Sequence, residues 1–121
     1  MFESRNGQAV SNIFWACGKL DVRSPKLFHL LDENVEWILQ SQNALCVSNI
    51  AWSCGKLGIK SPKFFDELRK SDDLGWLLMN RNTRSIASIA WACGKLGEQS
   101  PKLFALAESR ADWLFVNSLE M

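Results

Sequence analysis

Apolar residues recur with helical spacing in three segments of the chain. In the first segment, one stripe about 120° wide contains Val10, Ile13, Phe14, Cys17 and Leu20. Similar segments begin near residues 44 and 83. No segment alternates regularly between apolar and polar residues, which is the pattern of a half-buried strand. The pattern therefore predicts an all-α protein.

One phrase of the sequence occurs three times. It occupies Ser11–Leu20, Ser48–Leu57 and Ala87–Leu96, and its Trp recurs after 37 and then 39 residues. Each copy is followed by Ser-Pro-Lys-x-Phe, at 24–28, 61–65 and 100–104. A period between 20 and 50 residues indicates stacked supersecondary units.

We therefore predict a single domain, an α-solenoid of three helical-hairpin repeats of about 38 residues each. Each hairpin has a first helix, which carries the repeated phrase, and a second helix, which begins at Ser-Pro, giving six helices. The repeats span 2–39, 40–78 and 79–115, and a tail follows at 116–121. The same pattern fits a fragment of a longer array.

Residues suited to helix ends mark the predicted boundaries. The first helices are preceded by Asn6, Asn43 and Asn82, and Asn is a strong N-cap. Gly58 and Gly97 suit a left-handed residue after the last turn, whereas Asp21 predicts a looser or different end in the first repeat. The second helices are predicted to have a Ser N-cap and Pro in the first helical position, at Ser24-Pro25, Ser61-Pro62 and Ser100-Pro101.

The length of the second helix differs between repeats. In the first repeat we expect it to run from 25 to about 39. The second repeat has two additional residues near 71–73, which shift the helical phase by about 200°. We therefore expect a break or bulge at that point.

Composition restricts the classes of partner. Lys and Arg number 14 and Asp and Glu 13, so the chain lacks the basic excess typical of non-specific nucleic-acid binding. It has no apolar run of the length that spans a membrane, and its first residues do not resemble a signal or transit peptide. We expect no membrane association.

The four Cys do not form the close pairs that zinc sites use. Cys17, Cys54 and Cys93 occupy equivalent positions of the three repeats, and Cys46 is additional. We predict that they are small buried residues with free thiols, which suits a reducing compartment. No metal site is expected.

Features of an enzyme active site are missing from the sequence. His29 is the only His, and Asp66 and Ala105 occupy its position in the other repeats, which argues against a catalytic base. There is no Gly-rich phosphate loop and no nucleophile elbow. We predict that the chain is not an enzyme and has no catalytic residues and no cofactor.

The side of each first helix opposite the apolar stripe is polar. In a stack these sides lie next to one another and carry a Lys in every repeat. Regularly spaced cations suit a phosphate backbone, and Gln, Asn, Ser and Arg suit the reading of bases. The candidate RNA-binding residues are Arg5, Gln8, Asn12, Lys19, Gln42, Asn49, Lys56, Arg81, Arg84, Ser88 and Lys95, and Leu45 lies on the same line.

Each of these features also has a purely structural interpretation. A polar stripe is often only the solvated side of a helix, and a Lys in the last turn is favoured by the helix dipole. Asn12 and Asn49 are also suited to bonding with a neighbouring repeat. We predict that Trp15, Trp52 and Trp91 pack between neighbouring first helices rather than stack on bases. The other three Trp are assigned to the core, at Trp37, Trp76 and Trp113.

The phrase Asn49-Ile50-Ala51-Trp52-Ser53-Cys54-Gly55-Lys56-Leu57-Gly58, followed by Ser61-Pro62-Lys63-Phe64-Phe65, resembles the octotricopeptide repeat. Similar repeats occur in proteins that end in a RAP domain and in FAST-kinase-like proteins. The resemblance covers nearly the whole chain. The chain differs from the family's pattern in having only three repeats, no RAP domain and the apolar Leu45 on the proposed binding line.

The resemblance implies an α-solenoid that binds single-stranded RNA along its first helices. It further implies a mitochondrial or chloroplast protein acting in RNA processing, stability, translation or ribosome assembly. Without the resemblance, the location expected is the cytoplasm. The alternative function is a protein-interaction scaffold without RNA contact. In that case the uncapped terminal repeats would bind protein partners or a second copy of the chain.

Overall fold

The computed structural model describes residues 7–71, 73–81 and 83–118. Every regular element in these ranges is a helix, which confirms the all-α prediction. The first helices are α1 (Gly7–Leu20), α3 (Ala44–Leu57) and α5 (Thr83–Leu96). The second-helix segments contain α2 (Pro25–Gln40), α4 (Pro62–Lys70), the 3₁₀ helix Gly75–Arg81, α6 (Pro101–Ser109) and α7 (Ala111–Ser118).

The helices pack in two layers. In one layer α3 lies between α1 and α5, and in the other α4 lies between α2 and α6. Asn49 of α3 contacts Ser11 of α1, and Trp52, further along α3, contacts Gly18, further along α1. Because both contacts advance in the same direction, α1 and α3 are parallel and aligned.

The same register joins the second and third repeats. The ring of Trp91 lies against Gly55, which is the position that Trp52 takes against Gly18. Trp52 and Trp91 therefore pack between first helices as predicted, whereas the prediction is wrong for Trp15, which is 47% exposed and has no preceding first helix in the described layer. The predicted core positions of the other Trp are also confirmed, because Trp76 is buried and Trp37 and Trp113 pack against the core.

The apolar stripe of α1 is only partly buried. Val10, Phe14 and Cys17 are buried as predicted, whereas the predicted burial of Ile13 and Leu20 is wrong, since they are 36% and 73% exposed. The buried surface is turned instead toward α3, and it includes Ser11 and Gly18. In the layer of first helices α1 packs on α3, and no other described helix of that layer covers its opposite side.

Two faces of the first helices follow from this packing. The leading face, at the positions of Ile13, Ala16 and Leu20, contacts the preceding first helix. The trailing face, at the positions of Ser11 and Gly18, contacts the following one. In α3 both faces are buried, because α1 covers the first and α5 the second, so its buried residues include Ser48, Ile50, Ser53, Gly55 and Leu57.

The N-cap predictions are confirmed at two helices. Asn43 accepts a hydrogen bond from the Cys46 N–H at 3.0 Å, and Ser24 accepts one from the Leu27 N–H at 3.2 Å. The expected side-chain caps at Ser61 and Ser100 are wrong, because neither makes a capping hydrogen bond. The Ser61 hydroxyl donates instead to Asp32 Oδ1 of α2, at 2.8 Å. Asn6 and Asn82 lie outside the described residues.

The first helices end in the same way in all three repeats. Gly58 and Gly97 are left-handed with φ of 69°, as predicted, and Asp21 adopts φ of 56°. The N–H of the next residue bonds back to the Cys carbonyl in each repeat, at distances of 2.9 to 3.0 Å. The predicted looser end at Asp21 is therefore wrong, because Asp tolerates the left-handed conformation through its short polar side chain.

We expect Asp21→Gly to raise the free energy of unfolding by about 0.5–1 kcal/mol, because Gly reaches positive φ without a Cβ penalty. The lost ion pair with Arg23, at 3.2 Å, joins two exposed side chains and contributes little. Urea unfolding of the variant and of the reciprocal Gly58→Asp, which should be destabilised, checks this. A less stable Asp21→Gly variant would contradict the conformational argument.

The second helices differ between repeats. The first is continuous to Gln40, one residue beyond the predicted end. The predicted break in the second is confirmed, because α4 ends at Lys70 and a 3₁₀ helix begins at Gly75. The third is divided at Arg110, which was not predicted. The Arg110 N–H is shared between the carbonyls of Leu106 and Ala107, as occurs at a helix end.

Aromatic pairs fill the first two repeats in different ways. Phe14 of α1 packs edge-on against Phe28 of α2, with ring centroids 5.1 Å apart. In the second repeat the position of Phe14 is taken by Ala51, and Phe64 packs edge-on against Phe65 of α4 at the same distance. The aromatic pair is thus shared between the two helices in the first repeat and lies wholly in the second helix in the second repeat.

Polar side chains connect consecutive repeats at the turns. Arg23 donates to the Leu57 carbonyl oxygen, which joins the first repeat to the end of α3. Arg69 of α4 donates to Glu98 Oε2 at 2.9 Å and to the Gln99 carbonyl oxygen at 3.1 Å. Hydrogen bonds to Glu98, the largest cause, and to Asp66 raise the pKa of Arg69, so the guanidinium stays charged.

Candidate nucleic-acid interface

The outer surface of the first-helix layer carries the three predicted lysines. Lys19, Lys56 and Lys95 are exposed, and each lies one residue before the end of its helix. Because α1, α3 and α5 are aligned neighbours, the lysines form a row across the layer. Packed helices lie about 8–10 Å apart, which sets the approximate spacing of the row.

Two indole rings lie beside these cations. The Lys19 Nζ is 5.7 Å from the ring centroid of Trp15, and the Lys95 Nζ is 5.9 Å from that of Trp91. The two Trp are 47% and 42% exposed, so the outer surface offers apolar rings next to positive charge. The sequence interpretation assigned both Trp to packing alone. The Trp-x-x-x-Lys spacing places the two side chains one turn apart and so permits the pairing.

Charge is segregated between the two layers. The three first helices contain four basic residues and no acidic one, namely Lys19, Lys56, Arg84 and Lys95. A groove of about 710 Å³ between α2 and α4, in the other layer, is lined by five carboxylates and two lysines. The balanced total charge therefore conceals a basic face, which composition alone did not reveal.

The uncharged candidates occupy different environments. Gln8 and Asn12 are exposed, and both lie in the N-terminal half of α1, away from the lysine row. The amide of Asn49 donates to Ser11 Oγ at 2.7 Å and so joins α1 to α3. This contact matches the structural interpretation of Asn49, in which it bonds to a neighbouring repeat. Its counterpart in α5, Ser88, is half-buried, and Leu45 is exposed.

The remaining candidates lie near the opposite ends of the first helices. Gln42 is exposed in the turn before α3 and has a left-handed backbone, with φ of 53°. Arg84 is exposed in the first turn of α5. Arg5 lies outside the described residues, and so does the side chain of Arg81. The structure thus brings the three lysines together and leaves Gln42 and Arg84 at the far rim.

The cysteines lie inside the molecule, away from this surface. All four are free and buried, as predicted. Burial raises the pKa of the Cys46 thiol to about 11 and that of Cys54 to about 12, and it also raises the pKa of Cys17 and Cys93. Buried thiols with raised pKa values are poor nucleophiles.

These thiols make stability depend on alkaline pH. The folded pKa values of Cys46 and Cys54 exceed the ordinary value of 9.0, so the folded state holds their protons more tightly. Their contribution is complete below pH 9 and is lost as the pH rises toward 11 and 12, by up to about 1.4 kcal/mol per pH unit per thiol.

We expect the thiols of the folded protein to react slowly with an aromatic disulfide reagent at pH 8, and all four thiols to react rapidly in urea. A Cys46→Ala/Cys54→Ala variant should show a weaker loss of unfolding free energy above pH 9. Urea titrations at several pH values check this. A wild-type stability that is flat across that range would contradict the argument.

No group of three or more His, Cys, Asp and Glu side chains in the described ranges is arranged to hold a metal ion. None of the helices within residues 7–71, 73–81 and 83–118 has the length and apolar character needed to cross a membrane. Comparison with protein-family models, curated proteins and solved structures gives no match.

Proposed function

We propose that this chain binds single-stranded RNA along the outer surface of α1, α3 and α5, and that its three hairpins form an α-solenoid. The observation that carries the proposal is the basic, acid-free character of these aligned helices, with exposed Trp beside the lysines. The resemblance to octotricopeptide repeats adds support, because that family is associated with organellar RNA.

In this proposal the Lys row binds successive phosphates. Trp15 and Trp91 each offer an exposed ring on which an unstacked base lies, and stacking of this kind contributes about 1–3 kcal/mol per base. Gln8 and Asn12 donate to or accept from base edges. Single strands are favoured over duplexes, because only unpaired bases expose their faces and edges to such side chains.

The organellar role follows from the same proposal. A three-repeat surface contacts few nucleotides, so it suits a protein that acts within a larger ribonucleoprotein or a longer array. Transcript processing, stability, translation and ribosome assembly in mitochondria or chloroplasts are the settings that the resemblance suggests.

The test is the affinity for a short, labelled single-stranded RNA of mixed sequence, measured by fluorescence anisotropy over a range of salt concentrations. The triple variant Lys19→Ala/Lys56→Ala/Lys95→Ala should reduce the slope of log K against log salt by about 2, at about 0.7 per phosphate contact. At about 0.2 M salt this corresponds to a loss of affinity of about 30-fold.

A matched control removes three lysines from the other layer, in Lys26→Ala/Lys63→Ala/Lys102→Ala. Its net charge equals that of the first triple variant, so a general charge effect would weaken both equally. The proposal requires a much smaller change of slope in the control. Equal slopes in the wild type and the first variant would overturn it.

A protein-interaction scaffold is the second candidate function. The observation that favours it is the exposure of large apolar side chains at both ends of the layers, among them Leu20 and Phe115. A wild type that binds no RNA at low salt, yet remains folded, would favour this candidate over the first.

A further inference from the structure

The two ends of the first-helix layer carry complementary halves of one interface. At the beginning, the leading face of α1 is open, with Ile13 and Leu20 exposed. At the other end, the trailing face of α5 is open, with Ala87 and Gly94 exposed. Inside the molecule these same faces pack together twice, once between α1 and α3 and once between α3 and α5.

Gly94 shows the open face most clearly. A Cβ atom on Gly18 would overlap the ring of Trp52, and one on Gly55 would lie 3.0 Å from both Trp91 Cζ3 and the Ala92 Cα. Glycine is therefore needed at both positions for the next helix to approach. Gly94 is the third glycine of this series, and no atom of the described residues lies within 4 Å of a Cβ placed there.

We propose that the chain associates head to tail with a second copy of itself. The leading face of α1 in one copy packs on the trailing face of α5 in the other, in the register of the internal interfaces. Trp15 then lies over Gly94 of the other copy, as Trp52 lies over Gly18. Ile13 and Leu20 become buried, as their counterparts Ile50 and Leu57 are in α3.

The surroundings of the two faces fit the same occupant. Next to the trailing face of α5 lies an apolar groove of about 310 Å³, lined by residues that include Ala87, Ala90 and Phe115. In the second layer, Asp32 accepts from Ser61 of the following repeat. Glu108, at the position of Asp32, is exposed and would accept from Ser24 of the second copy.

The junction is weaker than the internal interfaces for a definite reason. Inside the molecule Asn49 donates to Ser11. At the junction the corresponding donor is Asn12, but Ala87 stands where the Ser acceptor would be. The junction therefore lacks this hydrogen bond, and we expect reversible association that depends on protein concentration.

The geometry also determines how association proceeds. The interface joins two different faces, so each added copy leaves one open face of each kind at the ends of the assembly. Such heterologous contacts do not stop at a dimer unless they close into a ring. The wild-type mass should therefore rise with concentration past that of a dimer.

Sedimentation equilibrium without RNA tests the proposal over a hundredfold range of protein concentration. Gly94→Leu blocks the trailing face and Leu20→Glu blocks the leading face, and both positions are exposed, so the fold should be kept. We expect each variant alone to associate at least about tenfold more weakly than the wild type. Circular dichroism and thermal melting confirm that each remains folded.

Mixing the two variants provides the decisive measurement. Each retains one intact face of the opposite kind, so the mixture should form a one-to-one heterodimer that grows no further. A wild type that stays monomeric throughout would overturn the proposal. So would a Gly94→Leu variant that dimerises as the wild type does, since that result indicates a symmetric contact. Because RNA is absent, neither result bears on the RNA-binding proposal.

Discussion

Replacing Phe14 with Ala is expected to lower the free energy of unfolding by about 4 kcal/mol. Phe14 is completely buried, and its ring packs edge-on against Phe28, 5.1 Å away. The substitution removes the apolar surface, the aromatic pair and the link between α1 and α2 at once. Urea unfolding monitored by Trp fluorescence measures the change.

The second repeat supplies a rescue for this variant. There Ala51 occupies the position of Phe14, and Phe64 occupies that of Leu27. We therefore expect Leu27→Phe to restore about 1–2 kcal/mol in the Phe14→Ala background and to be destabilising in the wild type, where the space is already filled. The double-mutant cycle measures this coupling.

The same substitution at an exposed Phe provides a control for the effect of burial. Phe104 is 50% exposed, so Phe104→Ala should cost only about 1 kcal/mol. Equal losses for Phe14→Ala and Phe104→Ala would contradict the packing argument. Additive effects of Phe14→Ala and Leu27→Phe would show that the two Phe arrangements do not substitute for each other.

The second large effect is expected at Gly18. Gly18→Leu should lower the free energy of unfolding by about 3 kcal/mol, because even its Cβ would overlap the Trp52 ring and the remaining side chain has no space between α1 and α3. Gly94→Leu adds the same side chain at the equivalent position of α5, where no other part of the chain that the structure describes comes within 4 Å of the Cβ position. At low protein concentration it should stabilise the chain by about 0.5–1 kcal/mol, through higher helix propensity.

The opposite signs of these two substitutions are the measurement that matters. Both replace Gly by Leu at corresponding helix positions, so the gain in helix propensity is the same in both. The difference between the two changes in unfolding free energy therefore measures the contact with the next helix. Thermal and urea unfolding at a concentration where the wild type is monomeric provide the comparison. A Gly18→Leu variant as stable as Gly94→Leu would show that α1 and α3 do not approach closely at this position.

Local signals in the sequence predicted the helices well. The Pro residues placed the start of each second helix, Gly58 and Gly97 placed the ends of α3 and α5, and the additional residues near 71–73 predicted the break after Lys70. The break at Arg110 was missed because the third repeat has the usual length there. After the break α7 packs against α5 and α6, and these are tertiary contacts that local sequence signals do not show.

Periodicity was less reliable for burial within the stack. A single amphipathic stripe predicts one buried side, whereas α3 is covered from both sides and α1 from one. Ile13 and Leu20 match buried counterparts in α3 and are nevertheless exposed, because no helix precedes α1 in the described layer. The small residues Ser11 and Gly18 are buried because α3 packs on them. No hydrophobicity pattern identifies them.

The candidate site was predicted in part. Equivalent positions in a repeat necessarily share a face, so the row of Lys19, Lys56 and Lys95 followed from sequence once the stacking was assumed. The engagement of Asn49 with Ser11 and the pairing of Trp15 with Lys19 depend on side-chain conformation in the packed layer. Sequence spacing permits these contacts but does not determine which partner each side chain takes.

The parallel arrangement of α1, α3 and α5 gives the outer surface two unlike rims. Parallel macrodipoles add, with about half a unit of positive charge at each N-terminus, while the lysines offset the negative C-terminal ends. One rim thus offers backbone N–H groups and the other offers ammonium groups, and both attract anions. In the RNA-binding proposal, a strand that runs along the helix axes meets one rim before the other, so we expect the surface to bind the two strand directions with different affinity.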